Sequence, residues 1–71
     1  MPSWRDLRRF CEHDDWLLVK DTDHYFYEKI SEGIKRRTKV SKGTGEIQKR
    51  LWQDILKKQL RVSKEYFNSK L

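Results

Sequence analysis

The stretch Trp16-Leu17-Leu18-Val19-Lys20-Asp21-Thr22-Asp23-His24-Tyr25-Phe26-Tyr27-Glu28-Lys29-Ile30-Ser31-Glu32-Gly33-Ile34-Lys35-Arg36-Arg37-Thr38-Lys39-Val40 decides the fold. Its first four residues form a short apolar run of strand formers. Asp21-Thr22-Asp23 interrupts that run with turn chemistry of hairpin length, after which His24 to Ile30 resumes as an aromatic-rich strand. Ser31-Glu32-Gly33 supplies a tight turn whose glycine accepts a positive φ. Residues 34–40 then alternate with period two. Three antiparallel strands joined by two hairpins follow.

Upstream of this stretch, Ser3 and Asp6 have the spacing of a capping box and predict a helix start. Trp4, Leu7, Phe10 and Cys11 recur at three- and four-residue intervals, so one stripe of that helix is apolar as far as about His13. Asp14-Asp15 ends it. Downstream, residues 41–46 carry Gly43 and Gly45 and read as a flexible connector. Residues 48–60 place Leu51, Trp52, Ile55, Leu56 and Leu60 on a broad helical stripe, and Ser63 caps a last short helix bearing Tyr66, Phe67 and Leu71. The expected architecture is α+β, in the order α-β-β-β-α-α, with the helices on one face of a three-stranded antiparallel sheet. Residues 1–71 make a single domain.

Seventy-one residues exclude a second domain or a large cofactor cleft, and nine aromatics supply the bulk that so small a core needs. Seventeen Lys and Arg against eleven Asp and Glu leave a net charge of +6, which favours polyanionic partners, nucleic acid first. Seven of the eleven acids lie before residue 29, while cations concentrate in residues 35–42 and 49–58. A single cysteine, Cys11, excludes an intramolecular disulfide or thiolate cluster and sits in an apolar stripe as a core residue. Met1 to Asp6 has no signal-like apolar run, and no stretch is long and apolar enough for a membrane span. A soluble, cytoplasmic protein is expected.

Side chains alternate across a strand, so Ile34, Arg36, Thr38 and Val40 share one face of the third strand and Lys35, Arg37 and Lys39 the other. The three-cation face belongs in water. Turning Phe26 and Ile30 toward the helices opens Tyr25 and Tyr27 beside those cations. Aromatics among cations on an open sheet stack on bases and neutralise phosphates. The same residues also read as strand formers with a solubilising charged edge. Lys42, Lys49 and Arg50 are further candidates for holding backbone phosphate.

His24 is the candidate proton-transfer residue: an imidazole can take the proton of a ribose 2′-hydroxyl or give one to a leaving oxygen, and nearby cations stabilise the charge that develops on phosphorus. His13, at a helix end, reads as structural. The separated aspartates Asp14, Asp15, Asp21 and Asp23 have no ligand spacing for a metal, and Lys42-Gly43-Thr44-Gly45 lacks the Walker spacing. Neither a metal nor a cofactor is expected.

Asp15-Trp16-Leu17-Leu18-Val19-Lys20, Thr22-Asp23-His24-Tyr25-Phe26, Arg37-Thr38-Lys39-Val40 and Asp54-Ile55-Leu56-Lys57 together resemble the HicA family of small toxins across roughly residues 3–67. That resemblance implies a double-stranded-RNA-binding-domain-like fold, metal-independent mRNA cleavage with His24 as the catalytic histidine, and neutralisation by a HicB-type antitoxin. Thr22 and Asp23 stand where the family has glycine and serine, and Lys42 stands near the place of a second histidine. Three functional expectations follow: a HicA-like endoribonuclease, a non-catalytic RNA-binding module of the same fold, or a protein whose basic surface binds an acidic partner protein.

Overall fold

The computed structural model describes residues 2–43 and 45–71. Helix α1 (Trp4–His13) begins as a closed capping box: the Asp6 N–H donates to Ser3 Oγ at 3.2 Å and the Ser3 N–H to the Asp6 carboxylate at 3.1 Å. It ends with Asp15 at φ 62°, which lets the Trp16 N–H return to the Cys11 carbonyl at 2.9 Å. This is a Schellman closure with aspartate in the position that usually holds glycine.

Strands β1 (Leu17–Asp21), β2 (His24–Ser31) and β3 (Ile34–Ser41) form an antiparallel sheet in that order. The β2–β3 turn has both central residues left-handed, Glu32 at φ 52° and Gly33 at φ 79°, the geometry that matches the twist of a two-residue hairpin. It fixes an unbroken register from Ser31↔Ile34 to His24↔Ser41. The β1–β2 pairing slips by one at Val19, between Leu18↔Tyr27 and Lys20↔Phe26.

The helix expected over residues 48–60 is two pieces: α2 (Lys49–Asp54) widens into a π-helical segment, Ile55–Leu60, stopped by Arg61 at φ 56°. Side chains of β3 grip its last turn. Thr38 Oγ1 donates to Gln59 Oε1 at 2.8 Å, and Arg36 donates to the Leu60 carbonyl at 2.7 Å while lying 5.4 Å over the Trp16 ring. Helix α3 (Lys64–Ser69) is capped by Ser63, whose hydroxyl accepts the Tyr66 N–H at 3.1 Å. The observed order is the expected α+β arrangement.

Behind the sheet, Leu7, Phe10 and Cys11 of α1 meet Tyr27, Val40, Ile55, Leu60 and Phe67 in the buried core. Phe10 stacks on Phe67 at 4.9 Å, and Trp52 meets Phe67 edge-on at 4.6 Å. Burial pushes the Cys11 thiol's pKa up, so it stays protonated. The connector after β3 is exposed at Lys42, Gly43, Gly45 and Glu46, and its end is tied to the start of α1. Ile47 is buried and its N–H donates to the Pro2 carbonyl at 3.0 Å, while the Trp4 N–H reaches the Gly45 carbonyl. Of the Gly-containing segment, Thr44 lies outside the described residues.

One buried carboxylate ties the layers. Asp14 accepts from Trp16 Nε1 at 3.0 Å, from Lys29 Nζ at 3.1 Å and from the Tyr66 hydroxyl. Burial alone would raise its pKa, but the donors outweigh that and hold it below the ordinary carboxylate range. His13 bonds through Nδ1 to the Lys70 carbonyl, joining the ends of α1 and α3, a structural place. No helix among the described residues is long and apolar enough to cross a membrane.

Candidate nucleic-acid interface

The β2–β3 register builds the open face. A two-residue hairpin makes Ser31↔Ile34 a hydrogen-bonded pair, and the two pair types alternate along the ladder. Ile30↔Lys35, Glu28↔Arg37, Phe26↔Lys39 and His24↔Ser41 are therefore all of the closely spaced, non-hydrogen-bonded type, with Cα atoms about 4.5 Å apart. All four point away from the helices. Val40 and Thr38 are buried against the helical layer and Tyr27 pairs with Thr38, so Tyr25, Tyr27 and Lys29 point inward.

This reverses the expected orientation of β2. Tyr27 is 3% exposed, and burial raises its pKa. Tyr25 is half-buried, with the Arg8 guanidinium 4.2 Å from its ring centroid and Lys42 at 4.9 Å. Neither tyrosine stands beside the cationic ladder. The reason lies across the hairpin, where the paired positions Thr38 and Val40 fill the core and carry Tyr25 and Tyr27 inward with them.

What stands on the open face is His24, Phe26, Glu28 and Ile30 from β2, with Lys35, Arg37 and Lys39 from β3. Phe26 takes the place intended for the tyrosines. Its ring meets His24 edge-on at 6.5 Å and has Lys20 Nζ 5.6 Å from its centroid. Lys39 is its cross-strand partner. Sequence reasoning missed Phe26 and Lys20; counting residue by residue back from the Glu32-Gly33 turn pairs Phe26 with Lys39 and finds the first.

The cations on this face are unequal. Lys35 and Arg37 bracket Glu28 at 3.4 and 3.1 Å, so one carboxylate offsets both. Lys20 and Lys39 enter no ion pair among the described residues. Lys42 is held by Asp21 at 2.6 Å, a contact that raises its pKa, and it lies beside the inward Tyr25. Lys49 lines a groove on the helical side with Trp52 and Phe67, and Arg50 follows it on α2. The structure thus brings His24, Lys39, Arg37 and Lys35 onto one surface and leaves Lys42, Lys49 and Arg50 off it. No family model, curated protein or solved structure matches the chain.

Proposed function

We propose that the protein binds RNA across the open face of its sheet and cleaves it, with His24 moving a proton at the scissile phosphate. One observation carries this reading: the hairpin register sets the half-buried His24 on the sheet face opposite the core with Phe26, Lys20 and Lys39, two lysines that enter no ion pair among the described residues. Phe26 offers a stacking surface for a base, and the lysines offer charge for the adjoining phosphates. In cleavage the ribose 2′-oxygen attacks the adjacent phosphorus and the 5′-oxygen leaves. His24 takes the first proton or supplies the second, solvent water exchanging the other, and Lys20 and Lys39 offset the growing negative charge. This is the activity that the HicA resemblance implies, and with it come a cytoplasmic setting and a HicB-type antitoxin as partner.

A second reading, an RNA-binding module without turnover, is favoured by the position of Lys42. It is tied to Asp21, across β2, and lies beside the inward Tyr25, away from the open face that holds His24. Incubating RNA with the purified protein in excess chelator, with His24→Ala in parallel, separates the two. The nuclease reading expects cleavage by the wild type and a loss of about a hundredfold or more in the variant, the scale of one acid–base group. Equal cleavage by both, or none by either, contradicts it; binding without cleavage selects the second reading.

A further inference from the structure

The helical side carries a second surface, remote from His24. The start of α1, α2 with its π-helical continuation, and α3 enclose a groove of about 700 Å³, with Trp52, Leu56, Phe67 and Leu71 among its walls and Lys49 and Lys64 also lining it. Neither lysine enters an ion pair among the described residues. The one acidic side chain lining the groove, Asp6, is engaged in the capping box with the Ser3 N–H. Apolar walls thus meet two ammonium groups that have no ion-pair partner among the described residues.

The geometry points to an acidic amphipathic peptide segment as the occupant, its apolar side chains against the half-buried Leu56 and the exposed Leu71 and its carboxylates on Lys49 and Lys64. The competing occupants fit less well. A nucleic acid would find only two cations and no open aromatic face, since Trp52 is 8% and Phe67 1% exposed. A second copy of the chain would bring a net +6 against +6. The groove lies behind the sheet, so it is independent of the open face and of the RNA reading, and both surfaces can be occupied together.

The test is selection from a random displayed-peptide library on the folded protein, followed by titration of a fluorescein-labelled winner. Expected are peptides combining Asp or Glu with Leu, Ile or Phe at helical spacing, with amide shifts at Gln53, Leu56 and Asn68. Lys49→Glu with Lys64→Glu weakens binding by at least about tenfold, while Lys20→Glu with Lys39→Glu leaves it unchanged; these are exposed positions, and circular dichroism verifies the fold. An empty selection, winners without acidic residues, shifts confined to the sheet, or a self-association that buries Lys49 and Lys64 would each overturn the proposal.

Discussion

Two carboxylates show how position decides what a charge does. Asp14 is 4% exposed and its carboxylate is bound by three donors, so removing it leaves the Trp16 and Tyr66 hydrogens without their acceptor and the Lys29 ammonium, which keeps the Asp14 backbone carbonyl at 2.9 Å, without its counter-charge. Asp14→Ala is expected to destabilise the fold by about 2–3 kcal/mol in urea denaturation. Its pKa is lowered on folding, so the stabilisation is complete above the unfolded carboxylate value of about 4 and is lost as pH falls through the folded value. The difference in denaturation midpoint between wild type and Asp14→Ala therefore narrows in acid. Glu28 opposes the proposed function instead: it cancels Lys35 and Arg37 on the open face. Glu28→Gln is expected to tighten RNA binding several-fold at low salt, an advantage that shrinks as salt is added, measured by fluorescence anisotropy.

At the scale of elements, most of the fold was legible because local chemistry and long-range packing agree. Ser3 and Asp6 start α1 where the capping pattern places the start, Ser63 caps α3, and Gly33 turns β2 into β3. The face of β2 was misread because aromatics occupy both of its sides: Phe26 and the two tyrosines are equally good strand formers, and their period alone does not say which side packs. The deciding constraint was the register to Val40 and Thr38, a pairing property. The π-helical widening of residues 55–60 and the burial of Ile47 depend on contacts with β3 and with Pro2, which no local pattern carries. Asp15 at φ 62° bears a left-handed strain that glycine would not, and it is solvent-exposed. Asp15→Gly is expected to stabilise the protein by up to about 1 kcal/mol, read as a higher thermal midpoint.

For the whole molecule, the net +6 of the sequence resolves into two surfaces with different chemistry. The sheet presents His24, the Phe26 ring and two lysines that enter no ion pair among the described residues at one end, while Glu28 quiets the cations toward the other. The helices present an apolar groove edged by Lys49 and Lys64. Of the residues proposed from sequence for RNA, the open face retains His24, Lys35, Arg37 and Lys39, and the fold directs Tyr27 into the core. The most direct test of the account is an amide chemical-shift titration with a short unstructured RNA, 2′-O-methylated so that no attacking hydroxyl is present. Shifts centred on Lys20, His24, Phe26 and Lys39, lost in Phe26→Ala, are predicted. Shifts centred on α2 and α3, or none at low salt, would contradict it.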